Sequence, residues 1–111
     1  MTFHKNLNEN DWFKLTLVTQ MANIGSEAIR AVNWKNKGNN EYSDLALYRA
    51  LELLNLTKSD KKNALRLKEV TRIYELLVDF FKGKNIYNTT PKFITNYFIQ
   101  FTYLNAMQSG K

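Results

Sequence analysis

Apolar residues recur at helical spacing in four stretches of the chain, and the gaps between those stretches are short. In the first, about residues 11–35, Leu17, Met21, Ile24, Ala28 and Ala31 keep a 4-3-4-3 spacing, and Val18, Ala22, Gly25, Ile29 and Val32 repeat it one residue later. Two adjacent seams of this kind make one broad apolar face of a long helix. Thr16, Gln20, Asn23, Glu27 and Arg30 fall on the opposite, polar side. Gly25 stands within the apolar face. Either its missing side chain lets another helix come close, or it is a tolerated glycine costing about 1 kcal/mol relative to alanine. Asn8 or Asn10 offers an N-cap oxygen, and Lys37-Gly38-Asn39-Asn40 supplies a glycine stop.

The second stretch, about residues 41–57, carries Leu45, Ala46, Leu47, Ala50, Leu51, Leu53 and Leu54 on a wide apolar face, with Asp44, Arg49, Glu52 and Asn55 towards the other side. The third, about residues 60–82, has core positions Leu67, Val70, Tyr74, Leu77 and Phe81. Its wet stripe is Lys68, Arg72, Glu75, Asp79 and Lys82, and Gly83 follows in the C′ position. Thr90-Pro91 opens the fourth, about residues 91–107, with a hydroxyl cap and a proline at the first helical position.

That fourth helix departs from the pattern, because Phe93, Ile94, Tyr97, Phe98, Ile99, Phe101, Tyr103 and Leu104 surround it rather than line one stripe. Such a helix is central or has part of its surface covered by another chain. No helix of a four-helix domain is fully central. The side bearing Tyr97, Phe98, Phe101 and Tyr103 is therefore the expected interface with a homo-oligomer or another protein partner. Connections at residues 36–40, 57–59 and 83–89 favour antiparallel neighbours, and no stretch alternates as a strand does. The pattern predicts one all-α domain, an antiparallel up-down-up-down four-helix bundle.

Composition narrows the chemistry more than the fold. The 111 residues contain no cysteine, one histidine, one proline and four glycines. A disulfide framework, a thiolate metal site and a cysteine nucleophile are excluded. The single His4 gives no basis for a zinc site, a Glu-x-x-His di-iron pair or a histidine triad. Neither Gly-x-Gly-x-x-Gly nor Gly-x-x-x-x-Gly-Lys occurs. Glu75 and Asp79, one turn apart, form the only carboxylate pair of interest, and they share their stripe with Arg72 and Lys82 as a solvated ion-pair face would. The expectation is a non-enzyme with no cofactor and no metal. Residues 1–6 lack the apolar core of a signal peptide, and no run approaches the roughly 18 apolar residues of a membrane span, so a cytoplasmic protein without a membrane partner is expected.

Sixteen Lys plus Arg against ten Asp plus Glu give a net charge of +6. Each of the four arginines has a glutamate three residues away: Glu27 with Arg30, Arg49 with Glu52, Arg66 with Glu69, and Arg72 with Glu75. Pairing along one helix and an inter-helix network are both open to them. The excess is therefore lysine charge. In the antiparallel arrangement Lys35, Lys37, Lys82, Lys84 and Lys92 gather at one pole with Trp34, Tyr42 and Tyr87, while Lys61 and Lys62 lie at the other. Lysines interleaved with aromatic rings suit phosphate contact with base stacking, which makes RNA or DNA the candidate ligand. Lysines at helix C-termini also complement the helix dipole with no ligand at all.

Two stretches carry a resemblance. Asp11-Trp12-Phe13-Lys14-Leu15-Thr16-Leu17 leading to Ala22-Asn23-Ile24-Gly25-Ser26-Glu27, and Trp34-Lys35-Asn36-Lys37-Gly38-Asn39 leading to Arg49-Ala50-Leu51-Glu52-Leu53-Leu54, resemble small, functionally unassigned bacterial helical-bundle proteins. In architecture and basic charge the chain is similar to ribosomal-RNA intervening-sequence proteins and to the accessory proteins of diversity-generating retroelements, four-helix bundles that oligomerise. The resemblance implies an oligomer near nucleic acid. A nuclease of the HEPN type needs Arg-x(4–6)-His, and no histidine follows any arginine here.

Overall fold

Helix ends in this chain are set by side-chain caps, and those caps divide it differently from the apolar pattern. The computed structural model describes residues 8–108; His4 lies outside them. The described residues form α1 (Glu9–Phe13), α2 (Leu17–Asn36), α3 (Asn40–Ser59), a 3-10 helix (Lys61–Arg66), α4 (Leu67–Lys82) and α5 (Pro91–Gln108), with no strand among them. The Asn8 side chain accepts from the Asn10 amide at 2.8 Å and opens α1. The single first helix expected from the seams is broken. Thr16 takes an extended conformation and accepts from the Thr19 amide at 3.2 Å, restarting the chain as α2. A hydroxyl N-cap competes well with a continuous helix, and the break turns Trp12 inward.

Between α2 and α3 lies a Schellman turn. The Asn39 amide bonds the Trp34 carbonyl at 2.9 Å, the Gly38 amide bonds the Lys35 carbonyl at 3.0 Å, and Gly38 has φ +80°. Asn39 then caps α3 by accepting from the Tyr42 amide at 3.0 Å.

The third segment also starts differently from its pattern. Its first turns are 3-10, capped by Asp60, because Asn63 is drawn into a buried polar cluster. Gly83 ends α4 in extended backbone with φ −101°; the left-handed residues of the following loop are Asn85 and Asn88. Thr90 caps α5, accepting from the Phe93 amide at 3.1 Å.

Packing radiates from α2, which lies against α3 on one side and α5 on the other, while α4 lies against α3. Ser43 donates to the Ala31 carbonyl at 2.8 Å, placing the start of α3 by the end of α2. Thr19 donates to Asn105 at 2.6 Å, placing the start of α2 by the end of α5. The core is built from Met21, Ile24, Ala28, Ala31 and Val32 of α2 with Ala46, Leu47, Ala50, Leu54, Val70, Leu77, Ile94 and Phe98. Of the two readings open for Gly25, the close approach is the one present: a Cβ there would lie 2.7 Å from Cβ of Phe98. Overpacking of this kind costs about 1–3 kcal/mol, against a gain of about 1 kcal/mol in helix propensity. Gly25→Ala should therefore lower the urea midpoint, and Gly25→Val should lower it further. A raised midpoint for Gly25→Ala would mean that α5 yields at Phe98 without cost.

Candidate functional site

At the pole where α2 ends and α3 begins, cations and rings come together. Trp34 and Tyr42 meet edge to face with centroids 4.9 Å apart. Lys37 Nζ lies 5.1 Å from the Trp34 ring, and Lys35 Nζ lies 5.8 Å from that of Phe80. Lys82, at the end of α4, reaches Asp44 of α3 at 2.7 Å and stands 5.5 Å from the Tyr48 ring. That hydrogen bond to Asp44 raises the Lys82 pKa and outweighs the opposing effect of burial. Lys35, Asn40, Ser43, Asp44, Phe81 and Lys82 line one polar cleft of about 280 Å³.

The predicted pole is thus partly assembled. Lys35 and Lys82 share a cleft and Lys37 lies over Trp34 two residues on from Lys35, but Lys82 is paired with Asp44. Lys84 and Lys92 are exposed near the same end, after α4 and at the start of α5. Tyr87 stands apart: it lines a separate groove along α4.

At the other pole Lys61 is exposed, but Lys62 is a structural residue and not a free cation. Its ammonium donates to the Phe13 carbonyl at 2.8 Å and to the Asp60 carboxylate. Asp60 also accepts from Gln20 Nε2 at 2.9 Å; Gln20 donates to the Trp12 carbonyl at 3.0 Å and accepts from Asn63 Nδ2 at 2.9 Å. Trp12 Nε1 donates to Thr57 Oγ1 at 3.1 Å. Gln20, assigned to a wet stripe by its spacing, is fully buried. Among the described residues every buried side-chain nitrogen and oxygen has a partner.

The other polar assignments resolve similarly. Glu27 holds Arg30 at 2.5 Å along α2 and Arg49 of α3 at 3.1 Å, so one carboxylate serves both a local and an inter-helix pair. Arg66 pairs with Glu69 at 2.5 Å. Asp79, considered as half of a carboxylate pair, instead accepts the amides of Ile86 and Tyr87 at 3.0 and 3.1 Å and folds the loop after α4.

The expected interface on α5 needs correction. Phe98 is 0% exposed and Phe101 is also buried, so both are core residues of this chain. Tyr97 is half-buried and donates to Glu69 Oε2 at 2.7 Å, joining α5 to α4. Burial and the hydrogen bond to that carboxylate push the Tyr97 phenol pKa well up. Burial acts to raise the Glu69 pKa, but the bonds from Tyr97 and Arg66 outweigh it and lower the value. Only Tyr103 of the four predicted residues is open, at 65% exposure, and its open neighbours are Ile99, Leu104 and Met107.

Among the described residues no three His, Cys, Asp or Glu side chains gather as a metal site, and no helix is long and apolar enough to cross a membrane. No family model, curated protein or solved structure matches the chain.

The buried cluster has a pH signature. Burial pushes the Asp60 carboxyl up, yet hydrogen bonds from Lys62 and Gln20 outweigh it and hold the pKa below the ordinary aspartate value. A group whose pKa is depressed by folding stabilises fully above its unfolded pKa of about 3.9, and that contribution is lost as pH falls through the folded value. Asp60→Asn should be less stable than wild type at neutral pH and lose less stability on acidification below about pH 4. Parallel losses in urea titrations of the two proteins would assign the acid limb to another carboxylate.

Proposed function

We propose that this chain is a non-enzymatic cytoplasmic protein that holds nucleic acid, RNA or a nucleoprotein, through its lysine-rich ends, its four long helices running up-down-up-down. The observation that carries this reading is the cleft shared by Lys35 and Lys82, bordered by Asn40, Ser43 and the Asp44 carboxylate that Lys82 pairs with, beside Lys37 on the Trp34–Tyr42 pair. Ammonium groups beside aromatic faces suit backbone phosphates with a stacked base, while arginines, the better bidentate readers of phosphate, are largely paired with glutamates. Contact of this kind is weak in sequence preference. The resemblance to ribosomal-RNA intervening-sequence and retroelement accessory proteins is part of the same proposal.

In a gel-shift titration with single-stranded RNA, affinity should fall steeply with salt. The Lys35→Glu/Lys37→Glu/Lys84→Glu variant should lose at least roughly tenfold in affinity and reduce the log–log salt slope by about two. Lys82 is left intact because it braces Asp44. Unchanged binding by a variant of unchanged helicity would refute the reading.

A second reading, a protein-interaction module carried by α5, is favoured by one observation: Tyr103, Leu104 and Met107 leave the outer side of its last turns apolar and open.

A further inference from the structure

Outside the lysine pole and α5, a groove of about 510 Å³ runs along α4 and serves neither reading above. Its walls are Leu67, Lys68, Thr71, Arg72, Glu75 and Leu76, with Tyr87 contributed by the loop. These residues form two rows at i,i+4 spacing, Leu67-Thr71-Glu75 and Lys68-Arg72-Leu76, the ridges through which helices most often pack on one another. Among the described residues Lys68, Arg72 and Glu75 make no ion pair. The Arg72–Glu75 pairing that their spacing allows is not formed.

We propose that this face of α4 is a two-fold contact with a second copy of the chain. Turned end for end about a point between Thr71 and Arg72, the positions of the double row map onto one another: Leu67 falls on Leu76, Lys68 on Glu75, and Thr71 on Arg72. An antiparallel pair of α4 helices therefore sets Lys68 of each copy against Glu75 of the other, and Leu67 against Leu76, each contact occurring twice. A contact between identical copies demands this self-complementarity. A wholly acidic partner segment would instead leave Glu75 facing like charge.

The exposed apolar residues beyond the row agree with the same operation. Leu65, 99% exposed, precedes Leu67 at one end. Tyr87 and Ile86, the latter 72% exposed, are held at the other end by Asp79. The two-fold brings Leu65 of each copy to the Ile86–Tyr87 end of the other. Asp79 thereby gains a role: by gathering the loop amides it holds Tyr87 as a wall of the groove, with the exposed Ile86 next to it in the chain. The proposal depends on neither nucleic-acid contact nor the open side of α5.

Sedimentation equilibrium on the full chain, over concentrations up to millimolar, provides the test. The wild type is expected to show a species of twice 13.1 kDa. Lys68→Glu and Glu75→Lys, each placing like charges across the axis, should weaken association by roughly tenfold or more. The double swap Lys68→Glu/Glu75→Lys should restore it. Both side chains are exposed, so far-UV circular dichroism should be the same for all four proteins. A wild type that stays monomeric overturns the proposal, even if the groove then captures an acidic peptide. So do single variants that dimerise as wild type does, or a double swap that fails to recover. A dimer broken by Met107→Asp but not by either α4 variant assigns the contact to α5 instead.

Discussion

Burying the Gln20 amide obliges four segments of this chain to converge. A primary amide withdrawn from water needs partners for its two donors and its acceptor, and leaving a buried donor or acceptor unmet costs about 1–3 kcal/mol. The Trp12 carbonyl, the Asp60 carboxylate and the Asn63 amide meet that need from α1, the end of α3 and the 3-10 turn. Lys62 then neutralises Asp60 and ties it to the Phe13 carbonyl. Several departures from a plain helical pattern trace back to this demand, including the inward Trp12 and the tightened start of the third segment. Half-satisfied polar networks are worse than apolar cores, so the cluster specifies one arrangement of these segments and penalises its neighbours.

Away from that pole the body is held by shape. Gly25 lets α5 approach α2 closely enough for Phe98 to disappear from solvent. Tyr97 fastens the other flank of α5 to α4 through Glu69. With its inner side and one flank so used, α5 still carries Ile99, Tyr103, Leu104 and Met107 outward, which is why its apolar residues run all the way round.

The helical class and the four long segments could be read from the sequence because apolar spacing is a local signal; Gly25 allowed two readings, and only its contact with Phe98 decides between them. The break at Thr16 has a local signal too, a hydroxyl three residues before Thr19, but a longer uninterrupted seam masks it. Gln20, Asn63 and Lys62 are of another kind. Spacing places Gln20 on a wet face, and only contacts distant in sequence, with Asp60 and Asn63, account for its burial, while Lys62 stays exposed and is tied down by its distant bond to Phe13. The same holds for Phe98 and Phe101, where an all-round apolar helix does not say which of its sides faces home. At the lysine pole, sequence position located Lys35, Lys37 and Lys82 near one end of the molecule, but it did not reveal that Asp44 claims Lys82.

The turn between α2 and α3 leaves no slack, since Asn39 closes one helix with its amide and opens the next with its side chain. Fraying of either end removes a partner from the other. The two longest helices should therefore open and close as one cooperative unit, with Trp34 and Tyr42 riding on their shared hinge.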